Sequence, residues 1–175
     1  MRMERSGQSG SAGVFYLFPF NEIITLADTA MDVKKGVGST QALIDWGLLI
    51  LRVWLGSMMI YHGYGKVFGG MTRFSSSVVN IGMPAFLAWP AALAEFAGGI
   101  LLILGLFTPL ALFFIAATMA VAGFVRHASD PFGKKELALT YMMMALGLIL
   151  TGPGAYSADA WLARRRRAAG NTNSL

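Results

Sequence analysis

Apolar residues in this chain gather in long, nearly charge-free runs. Four such runs predict four spans: about Ala42 to Gly65, Pro84 to Leu106, Thr108 to Phe124 and Glu136 to Thr151. About 20 apolar residues cross a bilayer core as a helix. In lipid the backbone must bond within its own segment, so each run reads as an α-helix. The fourth is short, and Tyr156 and Trp161 beyond it suit the boundary between lipid and water.

The punctuation between runs agrees. Pro84 suits a first helical turn, and Thr108 followed by Pro109 reads as an N-cap with proline at the first helical position. Pro90 either kinks the second helix or marks a later start. The uncharged turn from Gly105 to Pro109 makes the second and third helices antiparallel neighbours. Residues 66–83 form the longest connection, and Phe68, Phe74, Val78 and Val79 suit the membrane surface there. The predicted fold is all-α: a four-transmembrane-helix bundle with up-down connectivity over residues 42–163. Residues 1–41 precede it as a polar tail with an aromatic interfacial segment, and residues 164–175 follow as a basic cytoplasmic tail.

Within the first part, residues 1–13 are rich in Gly and Ser and read as disordered. Residues 14–26 are apolar and aromatic but too short to span. They read as an interfacial or partner-binding segment, presenting Phe15, Tyr16, Phe18 and Phe20. A basic stretch followed by a cleavage site is missing, which argues against a removed signal peptide.

Composition supports a membrane protein and narrows its chemistry. The 175 residues are 55% hydrophobic and 13% charged, against about 25% charged in soluble domains. With no cysteine, the chain can form no disulfide, thiolate metal site or cysteine relay of its own. The net charge of +5 is not a nucleic-acid signal, because four of the fourteen basic residues are the run Arg164 to Arg167 after an apolar helix. That run, with Lys34 and Lys35, favours both termini in the cytoplasm, and a bacterial inner (cytoplasmic) membrane is the expected location. Lys66, Arg73, Arg126, Lys134 and Lys135 then lie outside.

Ionisable groups inside the runs mark the candidate site, since a charge at membrane depth costs at least ~2.5–3.5 kcal/mol. Arg52 and Glu95 fall near the middle of the first and second runs and are expected to pair there. Such a pair either fixes helix register or takes part in proton or substrate chemistry. At helical spacing, Asp45, Arg52, Gly56, Met59, Gly63 and Lys66 share one stripe of the first helix, with His62 at its edge. Leu48, Val53, Leu55 and Ile60 occupy the other side, suited to lipid or packing.

His62, Lys66, His127 and Glu136 should come out at the same outer end and line a polar mouth. A quinone headgroup or small anion would suit that mouth, with His62 as hydrogen-bond partner or proton donor and Tyr61 beside it. The alternative is an interfacial belt of Tyr, Lys and Arg. No HxxxH or ExxH spacing supports a metal site. Ala94-x-x-x-Gly98 and Ala116-x-x-x-Ala120 predict close helix packing, and Met142 to Met144 read as filler.

Three stretches carry a family resemblance. Leu51-Arg-x8-Tyr61-His-Gly-x-x-Lys66-x-Phe68-Gly resembles the first-helix signature of the DoxX family. Ala94-Glu95-x2-Gly98-Gly99-x5-Gly105-Leu resembles its second helix and turn, and Thr151-Gly-Pro-Gly-Ala-Tyr-Ser157-x-Asp159 its C-terminal end. The resemblance implies a small four-helix membrane protein, with Arg52, His62, Gly63, Lys66 and Glu95 as the positions that matter. Family members are linked to terminal quinol oxidases, thiosulfate:quinone oxidoreductases and redox-defence complexes.

Two functions are therefore expected. One is a subunit of a quinone-linked membrane oxidoreductase, with His62, Arg52 and Glu95 catalytic and Tyr61, Lys66, His127 and Glu136 binding the substrate. It would carry no intrinsic cofactor, take quinone as substrate and draw electrons from a partner. The other is a non-catalytic accessory subunit that docks onto a larger redox or photosynthetic complex. Partners on either reading are the lipid bilayer and a protein partner or a second copy, and not nucleic acid.

Overall fold

The computed structural model describes residues 20–172, with side chains placed at Thr29 and residues 36–170. Phe15, Tyr16 and Phe18 of the expected interfacial segment lie outside the described residues. The chain divides between Thr40 and Gln41 into two units. In the first, the described residues are helical, and Ser39 and Thr40 donate their hydroxyls to the Gly36 carbonyl.

Described residues form helices and no strands. The helices are α1 (Phe20–Gly65), α2 (Met71–Asn80), α3 (Ala88–Leu104), α4 (Thr108–Ala120), α5 (Phe132–Thr151) and α6 (Ala158–Thr172). Two π-helical turns, Lys66–Gly70 and Val121–Arg126, extend α1 and α4, and a 3₁₀ turn at Ala85–Leu87 leads into α3. Three stretches are long and apolar enough to cross a membrane: Gly36–Asn80, Ala85–Leu104 and Thr108–Arg126. The fourth expected span falls short of that measure, because Lys134, Lys135 and Glu136 occupy the start of α5.

Two local expectations change, and the choice left open at Pro90 resolves to a later helix start. Residues 71–80 of the long connection are an amphipathic helix, turning Met71, Phe74 and Val78 inward and Thr72, Arg73, Ser76 and Val79 outward. Pro90 lies in the first turn of α3, where its missing N–H has no helical partner to lose. Thr108 is not the N-cap of α4; Phe107 is, at φ 48°. The Asp159 carboxylate does the capping, accepting from the Phe107 and Thr108 amides at 2.9 Å each.

In the second unit, the close approach of α1 and α3 explains two glycines. A Cβ at Gly56 would lie 2.7 Å from the Gly99 carbonyl oxygen, and one at Gly63 would lie 2.4 Å from the Phe96 amide. Gly98 is buried against Ile115 of α4, and Ala94 is buried on the same helix as Gly98. Leu55, Met59, Leu102, Leu112, Ile115, Ala145 and Leu148 form the core beneath. Leu55, on the side of the first helix opposite the polar stripe, is fully buried there. The outer surface carries exposed Trp54, Leu104, Phe113 and Leu150, as lipid contact requires.

Candidate functional site

The expected Arg52–Glu95 pair does not form. Glu95 pairs with Lys66, whose Nζ donates to Oε1 at 2.6 Å and also to Oε2. Arg52 donates instead to the carbonyls of Pro153 and, at 2.5 Å, Tyr156. The reason is register. Gly63 of α1, not Arg52, meets Phe96, so Glu95 sits beside residues 63–66. Those lie about 16–21 Å further along the helix at 1.5 Å per residue.

Around Arg52 the three resemblance stretches meet. Gly105 ends α3 at φ +66°, and a Cβ there would lie 2.7 Å from Arg52 Nη1 and 2.6 Å from Ser157 Cβ. The Asp159 amide donates to the Gly105 carbonyl at 2.9 Å, and the Ala155 amide to Asp45 Oδ1 at 3.0 Å. Arg52 is buried, and its Nε has no partner. Neither cavity described below reaches Arg52. Its guanidinium ties the C-terminal loop to the α3–α4 turn.

The other end of the unit is open. A cavity of about 500 Å³ lies between α2, α3 and α4. Its walls are mostly apolar, including Phe74, Val78, Ala91, Phe114 and Val121, with Lys66, Glu95, Arg126 and His127 as its charged and titratable groups. Lys66 Nζ also lies 4.5 Å from the centre of the Phe74 ring. A second cavity of about 170 Å³ is lined by His62, Lys66, Glu95, His127, Lys134 and Tyr141 among others. The ion pair and His127 border both spaces. His62 borders only the smaller, with its ring 5.9 Å from that of Tyr141.

Tyr61 and Glu136 border neither cavity, and Tyr61 is 76% exposed. Sequence reasoning missed Asp130, whose carboxylate lies 2.7 Å from His127 Nδ1 and 3.7 Å from Lys134 Nζ. The signal was the His-x-x-Asp spacing in the turn before α5. The hydrogen bond from His127, helped by Lys134, holds the Asp130 carboxyl below the usual carboxylate range. Among the described residues no cluster of three or more His, Asp or Glu could hold a metal ion.

Long apolar helices enclosing a closed ion pair and a mostly apolar cavity define an integral membrane protein with an internal site. Residues 47–128 match the DoxX family model. The chain is similar to inner membrane protein YqjF of Escherichia coli K12, 30% identical over 129 residues, covering 70% of this chain and 97% of YqjF. An uncharacterized protein of Haemophilus influenzae is 34% identical over 119 residues, 64% of this chain and 87% of that one. A Bacillus subtilis protein bearing the name "Putative oxidoreductase CatD" is 30% identical over 122 residues, 69% of this chain and 90% of that one. The chain belongs to the DoxX family. No solved structure matches it.

Proposed function

We propose that this protein binds a quinone or quinol in the larger cavity and serves as the membrane subunit of a quinone-linked oxidoreductase system. The observation that carries the reading is the cavity itself. Its volume of about 500 Å³ lies in the range of small-molecule sites, and apolar walls surround a few converging polar groups. An apolar ring and tail would lie along α3 and α4, with the ring oxygens toward Lys66, Glu95 and His127. The name of the Bacillus subtilis relative agrees with redox chemistry. Electrons would come from a protein partner.

In this reading α5 is the fourth span and the bundle runs up and down. Supporting that, α5 packs on α4, begins beside the His127–Asp130 turn and ends at the loop that Arg52 holds. The basic run Arg164 to Arg167 favours a cytoplasmic position for the end that Arg52 holds.

The test is binding of a short-tailed ubiquinone to the protein in nanodiscs, followed by tryptophan fluorescence. Saturable binding, weakened at least tenfold by Ala94→Trp, which fills the cavity, supports the proposal. Binding that is absent, or indifferent to that substitution, leaves the accessory-subunit function, which co-purification with a redox complex would then support.

A further inference from the structure

His127 is the only histidine on the wall of the larger cavity among the described residues, although His62 looked the better candidate from sequence. It stands just after the π-helical turn Val121–Arg126, and its amide donates to the Ala122 carbonyl at 3.1 Å. Its ring is anchored on one side only. Nδ1 lies 2.7 Å from Asp130 Oδ2. An ionised carboxylate only accepts hydrogen bonds, so Nδ1 must carry the proton of that contact. The depressed Asp130 carboxyl stays ionised across the neutral range. In the neutral ring, Nε2 is then a lone-pair acceptor.

An acceptor discriminates between the two redox forms of a ring ligand. A hydroquinol or phenol can donate its hydroxyl to Nε2, whereas a quinone carbonyl offers only lone pairs and gains nothing. We infer that His127 is a ligand-binding residue of the larger cavity, and that Asp130, by fixing its tautomer, makes the site prefer the hydroxyl-bearing form of the ligand over the carbonyl form. The inference rests on the quinone-type ligand proposed above. Protonating the ring turns Nε2 into a donor and reverses the preference. The charged and titratable groups bordering the cavities with His127 are Lys66 and His62 at the end of α1, Glu95 on α3, neighbouring Arg126, and Lys134 and Tyr141 on α5. Lys66 and Glu95 satisfy each other, and Lys134 stands beside Asp130, so none of these replaces the carboxylate at Nδ1.

Two measurements test this. The first is the dissociation constants of decylubiquinol and decylubiquinone in nanodiscs, without air and without an electron acceptor. Where the second measurement shows a neutral ring, the quinol should bind about tenfold more tightly than the quinone, the effect of one hydrogen bond. Where it shows the imidazolium, the ratio should fall to one or below. Asp130→Ala should shrink the preference at high pH, and His127→Gln should remove its pH dependence while both forms still bind. The second is ¹⁵N NMR of histidine-labelled protein, with His62→Gln assigning the two rings. In the neutral ring of His127 it should show the proton on Nδ1. A proton on Nε2, or a quinol-to-quinone ratio near one that ignores both pH and His127→Gln, overturns the inference with ligand binding intact. Failure of both forms to bind at any pH sinks the proposed function, and this inference with it.

Discussion

Glu95 has a side chain 2% exposed and Lys66 one 27% exposed, so the two halves of the pair respond differently when the other is lost. Lys66→Met strands a carboxylate among apolar walls and should cost about 3–5 kcal/mol. Glu95→Gln leaves an ammonium that can swing its long stem toward water, and should cost less, nearer 1–3 kcal/mol by the rule for hydrogen bonds to charged groups, ~1.5–3 kcal/mol each. Thermal unfolding of the detergent-solubilised variants checks the order. Equal losses would mean that Lys66 is as desolvated as its partner. Arg52 behaves differently because its partners are the Pro153 and Tyr156 carbonyls. Lysine offers no planar fork to span both. Arg52→Lys should therefore lower stability, yet leave ligand affinity at the distant cavity unchanged below the melting temperature. A change in affinity without a change in stability would restore Arg52 to the site. At Asp130 the sign of the pH dependence is fixed by its depressed carboxyl. Its contribution is present above the unfolded carboxylate value, about 3.9, and is lost as pH falls through the lower folded value.

At the scale of elements, contact between helices is set by glycine. Gly63 lies against the Phe96 backbone with no space for a methyl group, whereas a Cβ on Gly47 of the same helix meets nothing within 4 Å. Gly63→Ala should push α1 from α3 and part Lys66 from Glu95, so it should lose both stability and ligand binding. Gly47→Ala should be neutral or stabilise by up to ~1 kcal/mol, as expected inside a helix. Parallel melting curves and quinone titrations decide this; a harmless Gly63→Ala would remove the close approach as a cause. The apolar runs and the α3–α4 turn were legible because hydrophobicity and Gly-Pro punctuation are local signals. The Arg52–Glu95 pairing was not, because it assumed that two runs align at their midpoints. Register here follows from Gly56 against Gly99 and Gly63 against Phe96, which no single run displays. The π-helical turns at Lys66–Gly70 and Val121–Arg126 were hidden too, since one extra residue per turn leaves no mark on a pattern read at helical period. They carry or adjoin Lys66, Arg126 and His127, and Asp130, which pairs with His127, lies just beyond the second.

At the scale of the whole molecule, the two ends of the second unit have different chemistry. One is closed by Arg52, Gly105 and Asp159 into a hydrogen-bonded knot of backbone and side chains. The other opens into cavities flanked by Asp130, Lys134 and the amphipathic α2. The proposed exchange of a lipid-soluble ligand would need such a division between a fixed end and an accessible one. The proposed up-down arrangement assigns the ends to opposite faces of the membrane. The chain has no cysteine, so single cysteines can be introduced without a background. Asn80→Cys and Ser129→Cys lie at exposed positions toward the open end, and Ala168→Cys lies in exposed α6 beyond the closed end. In intact cells a membrane-impermeant maleimide should label the first two, while the third should react only after the membrane is permeabilised. Labelling of all three from one side would mean that α5 does not cross. Labelling of position 168 alone from outside would invert the bundle and point the ligand cavity toward the cytoplasm. Expected labelling would instead set the His127–Asp130 turn at the outer surface, where a proton released by oxidation of the proposed quinol would pass directly to water outside the cell membrane.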